Sequence, residues 1–344
     1  MQLQRYTTKD QKVWDDFVRL SKNGTFLFER SYMDYHSDRF KDHSLMYFDA
    51  KGKLVALLPA NEVTASSSLF SHQGLTYGGF ILHKRVHAAE VLELFEDTRS
   101  YLREHGFKEW FYKPVPTIYH RYPSQEEEYA LFRLGATMEV CNLSCTLPLH
   151  PDYDIQLTPD ASRRRRRREA EMNGLRLLVG GKDLPAEKVL RRFWPIMEQN
   201  MMTRYGARPV HSLDEMLLLQ ERFPKQIRCY LVTAPSNEKS AEQSGISSPD
   251  QDEDVAGEVL FVSNQVAHAQ YGHASSRGRE IGALDFLYLS LIDYFRDQEE
   301  EIKYFDFGTS NEKGGLVLNE PLIAQKEGFG GRGIAYKTYR IIVG

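Results

Sequence analysis

A mixed α/β fold built twice is the class this sequence predicts. Its 344 residues, 41% hydrophobic and 12% aromatic, carry enough apolar material for two cores. The two halves run through one order of elements: helix, helix, strand hairpin, long strand, turn, buried helix, strand, loop, short helix, strand. A repeat of about half the chain is far too long for a solenoid, so it reads as two copies of one domain. The likeness is closest towards the ends of the halves. "TRSYLREHGFKEWFYKPVP" with "EEEYALFRLGATMEVCNLSCTLPL" parallels "LIDYFRDQEEEIKYFDFGTS" with "PLIAQKEGFGGRGIAYKTYRIIV". The expected domains are 1–152 and 153–344.

In the first half, residues 9–21 read as a short amphipathic helix with Val13, Trp14, Phe17 and Leu20 on one side. Two apolar runs flank Lys51-Gly52, a hairpin signal. "LFSHQGLTYGGFIL" reads as a strand entering a glycine-rich turn. Residues 88–105 place Val91, Leu94, Phe95, Thr98, Tyr101 and Leu102 at helical spacing, and Gly106 stops the helix. "KEWFYKPVP" is a strand ending at prolines. Ser124 with Glu127 reads as a capping box, and Gly135 closes that helix. "TMEVCNLSCTLPL" is a strand with Cys141 and Cys145 on one buried face.

The second half opens on "LTPDASRRRRRREAEMNGLRLLV". Thr158 as cap, Pro159 in the first turn and Gly174 as stop enclose a helix of roughly four turns. Arg163 to Arg168 therefore lie inside a helix. Successive residues turn by about 100°, so the arginines cover every face and cannot all meet solvent. Ala170 marks the buried side, shared with Arg163, Arg166 and Arg167, which must snorkel or pair with carboxylates. The rest is a solvated face or an anion-binding surface. Further helices are "LRRFWPIMEQNMMTRYG", "SLDEMLLLQERFP" and "ALDFLYLSLIDYF", the last apolar nearly all round. Residues 235–254, polar and acidic, read as a mobile hairpin loop.

Composition excludes several function classes. The net charge of −4 makes the arginine run a local feature and argues against a DNA-coating role. Three cysteines without a CxxC pair argue against zinc and fit a reducing cytoplasm. No run approaches the roughly 18 apolar residues of a membrane span, and the first residues lack a signal-peptide core.

The element order, carried by "SRRRRRREAEMNGLRLLV", "FWPIMEQNMMTRYGARPVHSLDEM", "YFDFGTSNEKGGLVLNEPLIAQKEGFGG" and "YKPVPTIYHRYPSQEEEYALFRLGA", resembles that of the GNAT acetyltransferases. The tandem arrangement resembles the FemAB-like acyltransferases over nearly the whole chain. The resemblance implies two tandem GNAT-like domains, each a central mixed sheet flanked by helices. It implies transfer of an acyl group from acyl-CoA, such as acetyl-CoA, or from aminoacyl-tRNA. The acceptor would be an amine or hydroxyl of a small molecule or of a glycan or cell-envelope precursor. Members that use tRNA often carry a coiled-coil arm, and this chain has no long heptad segment. The alternative is a non-catalytic GNAT scaffold binding an anionic glycan or RNA through Arg163 to Arg168.

In GNAT folds, backbone N–H groups in the turn after the fourth strand cradle a pyrophosphate. The matching turn here is "SSRGREIGALDF", so Ser275, Ser276, Arg277, Gly278, Arg279 and Gly282 are the expected donor-binding residues. The first-half turn has Gly78 and Gly79 but is filled by Phe80, Ile81 and Leu82, which favours the second half. Acyl transfer needs a proton acceptor, a polarised carbonyl and a donor for the leaving group. Asp306, Ser310 and Tyr271 are the expected catalytic residues. Lys113, Tyr119, His120, Tyr205, His211, Asn311 and Lys326 are expected to contact substrate, with His273 near the mouth. Tyr and His in strands are also common as satisfied core residues, and Asp306 could serve only its own loop.

Overall fold

The computed structural model describes residues 1–149, 158–236 and 252–344. The expected loop at 235–254 and the expected boundary at 152/153 fall almost wholly outside the described residues. In chain order the elements are β1 (Gln2–Arg5), α1 (Gln11–Leu20), α2 (Arg30–Met33), β2 (Lys41–Asp42), β3 (Leu45–Phe48), β4 (Leu54–Leu58), β5 (Asn61–Val63), β6 (Ser68–Phe70), β7 (Ile81–Leu82), α3 (Ala88–Glu104), β8 (Glu109–Tyr112), α4 (Glu126–Arg133) and β9 (Thr137–Pro148). There follow α5 (Ala161–Met172), β10 (Arg176–Val179), α6 (Ala186–Tyr205), α7 (Leu213–Arg222), β11 (Ile227–Ala234), β12 (Glu253–Ser263), β13 (Val266–Ala274), α8 (Ser276–Glu280), α9 (Ala283–Gln298), β14 (Tyr304–Thr309), β15 (Asn311–Glu312), β16 (Val317–Leu318), α10 (Glu320–Glu327) and β17 (Arg332–Ile342).

The chain divides into two compact units that interleave in sequence. Unit 1 is Met1–Ser144 with Thr309–Asn319 and Gly333–Gly344; unit 2 is Cys145–Gly308 with Glu320–Arg332. A single cut at 152/153 does not describe this division, because the last strand and the 309–319 segment return to unit 1.

In unit 1, β1, β3, β4 and β7 form one sheet, and the first part of β9 continues through β17, β8, β6, β5 and β2 in another. The β3–β4 hairpin closes where expected. Gly52 takes φ +75°, and the Asp49 carboxylate accepts the N–H groups of Lys51 (2.8 Å) and Lys53 (2.9 Å). The core is aromatic: Phe80, Phe95, Trp110 and Tyr112 are fully buried, with ring centroids 5.1–6.1 Å apart.

Several local expectations need correction. In α1 the buried face is Trp14, Phe17 and Val18, while Val13 and Leu20 are exposed; the Trp14 indole donating to Phe28 O (2.7 Å) sets the rotation. Ser124 does not cap α4, which starts from Gln125. The Ser124 hydroxyl is buried without a partner, and Glu127 is turned inward to accept from Tyr112 (2.5 Å). Helix α5 starts after Asp160 rather than at Pro159. Cys141 is exposed although Cys145 is buried, since only the later part of β9 is covered.

In unit 2 the sheet order is β10-β11-β12-β13-β14, followed by the last residues of β9. The first four strands pair antiparallel. β13 and β14 are parallel, and their pairing covers only Val266–His268 against Tyr304–Asp306. Helix α9 buries Phe286, Leu287, Leu289, Leu291, Ile292 and Phe295, and α5 sets Ala170 into the interior beside it.

Candidate functional site

Beyond His268 and Asp306 the two parallel strands of unit 2 lose their pairing. β13 is an interior strand, yet residues 268–270, 272 and 273 are only half-buried. A bulge at Gln270, where β12 Val259 faces Tyr271 and Leu260 faces Ala269, sits at the same place. The sequence thus leaves a cleft along β13 at the carboxyl end of a parallel pair, a common position for ligands in such sheets.

An Asp–His pair stands at the start of the divergence. The Asp306 carboxylate is fully buried. It accepts the Thr146 hydroxyl (2.8 Å) on one oxygen and meets His268 Nδ1 (2.8 Å) on the other. An ionised carboxylate there requires Nδ1 to carry the proton, leaving Nε2 as a lone-pair acceptor. His268 Nε2 has no partner among the described residues, and the side chain stays 13% exposed. Gly308, at φ +76°, follows and keeps the strand end open beside the imidazole.

Lys326 on α10 donates its ammonium to Gly308 O (2.8 Å). Burial lowers its pKa to about 8, against Asp306, Cys145 and Glu258, which raise it. Glu258, on β12, is buried with one oxygen unpaired and the other accepting from Tyr288 (3.0 Å); burial pushes its carboxyl up to about 8. Gly272 makes room for this pair: a Cβ there would collide with the Tyr288 hydroxyl and the Glu258 carboxylate. Gly272→Ala is expected to cost about 2 kcal/mol by overpacking, read from urea unfolding midpoints.

Glu258 and Glu127 are both pushed by burial up to about 8 from a usual 4.5. Between these values the folded state holds protons that the unfolded chain has lost. Their contribution is therefore full below about pH 4.5 and lost as pH rises through about 8. Thermal stability is expected to fall from pH 5 to 8. The slope should flatten in the double variant Glu127→Gln, Glu258→Gln, measured by calorimetry across that range.

A second feature lies at the turn after β13. Arg163, Arg166, Arg204, Gly278, Arg279, Gly282, Leu284, Asp285, Pro321, Ala324 and Gln325 line an open depression of ≈ 470 Å³. Four arginines face one carboxylate. Asp285 pairs with Arg163 (2.8 Å) and Arg166 (3.1 Å), and Arg166 also donates to Arg279 O (2.6 Å). Arg204 has no hydrogen-bond or ion-pair partner among the described residues. The first turn of α9 opens here behind Gly282, at φ +76°, so helix-end N–H groups add to the positive potential. The arginine run of α5 is thus divided. Arg163 and Arg166 face the depression, Arg167 pairs with Asp293 (2.5 Å), and Arg164, Arg165 and Arg168 are exposed.

Of the expected donor-binding residues, Gly278, Arg279 and Gly282 line the depression. Ser275 is spent as the α8 cap, accepting from Gly278 N–H (3.1 Å), and Ser276 accepts from Arg279 (3.0 Å). Arg277 turns to Glu253 and Pro235 O. Tyr271 and His211 are both buried and bonded to each other (2.5 Å), and burial pushes the phenol up to about 12. Burial and Arg204 lower His273 to about 4. The Tyr205 side chain lies outside the described residues. Ser310 and Asn311 belong to unit 1; Asn311 accepts from Leu143 N–H (2.5 Å), and the Ser310 hydroxyl is buried without a partner. In unit 1, Tyr119 meets Tyr336 (3.3 Å) and His120 bonds Val115 O (2.9 Å), both buried, while Lys113 holds two backbone carbonyls.

Sequence reasoning missed His268, Thr146, Glu258 and Tyr288. Glu258 had a signal: it is the one acid inside the apolar run "VAGEVLFV". His268 had none without the strand register.

No protein-family model and no curated protein sequence matches the chain. Solved structures do. FemX is similar at 13% identity with a TM-score of 0.68, covering 99% of this chain and 97% of that one. L-PGS from Bacillus licheniformis is similar at 10% identity and TM-score 0.57, over 98% and 92%. A tandem GNAT protein from the clavulanic acid biosynthesis pathway is similar at 13% identity and TM-score 0.52, over 100% and 98%. At such identities these likenesses show the fold: a FemAB-like, tandem GNAT architecture.

Proposed function

We propose that this chain is an acyltransferase taking its acyl group from acyl-CoA, with acetyl-CoA the simplest donor. The acceptor is an amine or hydroxyl of a small molecule or glycan precursor. The observation that carries the reading is that one turn, β13 to α9, joins a cleft holding an open Asp–His pair to a four-arginine depression. The tandem GNAT fold shared with FemX and the clavulanic-pathway protein supports it.

The donor chemistry fits the residues present. Arg163, Arg166, Arg204 and Arg279, with the N–H groups at the start of α9, hold phosphate groups. When bound, the donor supplies an acyl group on sulfur, a good leaving group. The residues of the chain do the rest. His268 Nε2 takes the proton of the acceptor amine or hydroxyl as the new bond to the acyl carbon forms, and returns it to the sulfur that leaves as the carbon–sulfur bond breaks; Asp306 holds the ring in register and stabilises the imidazolium. Lys326 places a positive charge at the Gly308 end of the cleft, suited to charge developing on the acyl oxygen. Tyr271, at about 12, keeps its proton through the working pH range and anchors His211 at the connection before α7.

A thermal-shift titration with acetyl-CoA, CoA and a charged tRNA mixture, at low and high salt, tests the donor. Stabilisation by acetyl-CoA supports the reading. A response to tRNA alone moves it to aminoacyl transfer, and no response to any of them leaves a binding scaffold.

A further inference from the structure

The carboxyl ends of the parallel pair β6 and β8 in unit 1 carry a cluster that the proposed transfer chemistry does not use. These strands pair through Ser68–Phe70 and Glu109–Phe111. Just beyond, Ser71 N–H donates to Phe111 O (2.8 Å) and Gly78 N–H to Lys113 O (2.8 Å), which ties Ser71, His72 and Lys113 together. Lys113 Nζ donates to His72 O (2.9 Å) and Leu75 O (2.5 Å), and no carboxylate pairs with it among the described residues. One of its three ammonium protons is left over. The Ser71 hydroxyl and His72 Nδ1 are buried and also lack partners.

Buried polar groups are almost always satisfied, so two unmet ones beside a lysine at one strand end need a reason. The backbone adds a second. His72 sits at φ +46°, a conformation that side chains rarely adopt, and a Cβ on Gly78 would collide with Ser71. The loop holds a strained shape to keep these groups where they are. Lys113 remains partly exposed, so a small group can reach it. Burial lowers its pKa to about 8; burial, with His36, Lys113 and Arg30 nearby, holds His72 well below the usual histidine value. Arg30 is paired with Asp34 and Asp42, which leaves Lys113 as the cation here without a carboxylate among the described residues.

We infer that Lys113, Ser71 and His72 form a binding site for a single carboxylate group. One positive charge matches one negative charge, whereas a phosphate dianion would bring a charge that the cluster leaves uncompensated. The inference does not depend on the donor site of unit 2.

The test is thermal unfolding in sodium acetate against sodium chloride at equal ionic strength, at pH 7, with phosphate as a third arm. Acetate is expected to raise the midpoint by about 2 °C or more. The response should vanish in Lys113→Met and shrink in Ser71→Ala. It should persist in the Arg163→Ser, Arg204→Ser protein, which keeps unit 1 intact. It should also fade above about pH 8 as the ammonium loses its proton. If Lys113→Met does not fold, Ser71→Ala and the pH dependence carry the test. No acetate response, an equal response in Lys113→Met, or, in the Arg163→Ser, Arg204→Ser protein, a larger response to phosphate than to acetate would overturn the inference.

Discussion

Arg204→Ser is expected to weaken acetyl-CoA binding about tenfold, and Arg163→Ser with Arg204→Ser about 100-fold or more, by isothermal titration at low salt. A hydrogen bond to a charged group is worth roughly 1.5–3 kcal/mol, and each arginine supplies at least one. Arg204 is the cleaner probe. It is exposed and unpaired among the described residues, so its loss leaves nothing buried and uncompensated. Arg163 costs more to remove, because it neutralises Asp285 and stacks 4.9 Å over Phe329, although Arg166 still pairs with that carboxylate. Arg168→Ser, on the same helix but facing solvent, should change nothing. An equal loss in Arg168→Ser would mean that the helix acts through diffuse charge and that the depression is not the site. The salt dependence of binding should be shallower in the double variant, since fewer counter-charges are displaced.

Asp306→Asn is expected to lower the acyl-transfer rate by about 10⁴-fold with the fold retained. This is the scale of loss when an orienting aspartate becomes an amide and the histidine takes the wrong tautomer. The substitution keeps the shape of the side chain. Its amide NH₂ facing Nδ1 would donate, so the imidazole would carry its proton on Nε2, where the acceptor's proton must go. The amide oxygen can still accept from Thr146. His268→Gln should give a comparable loss, and the double variant should be little worse than either single one, because the two act as a unit. Asp306→Asn with wild-type turnover and a wild-type melting temperature would remove the pair from the chemistry and leave it as a strand lock.

Local periodicity makes most of the fold legible in the sequence. Helix α3 declares itself by spacing, α9 by a long run that is apolar nearly all round, and Gly52 and Gly106 by the positive φ that their turns require. The arginine run is legible as far as geometry goes, with one face forced inward. Its partners Asp285 and Asp293 lie more than a hundred residues away and carry no local signal. Ser124 shows where a local rule loses to packing: burial claims Glu127 for Tyr112, and the capping box does not form. Asp306 is legible as an acid inside an aromatic strand that runs into a glycine with positive φ, Gly308. His268 is not, since its meeting with Asp306 depends on a parallel register across the whole of α9. The interleaved units are hidden for the same reason: β17, the last strand, pairs with β8, more than two hundred residues earlier.

Hydrogen–deuterium exchange with and without acetyl-CoA tests the central claim most directly, because it asks where a donor sits rather than whether one binds. Protection is expected in residues 268–288 and in the first turns of α5, where the cleft, the glycine turn and the inward arginines lie. Unchanged exchange there, or protection confined to unit 1, would contradict a donor site at the β13–α9 turn.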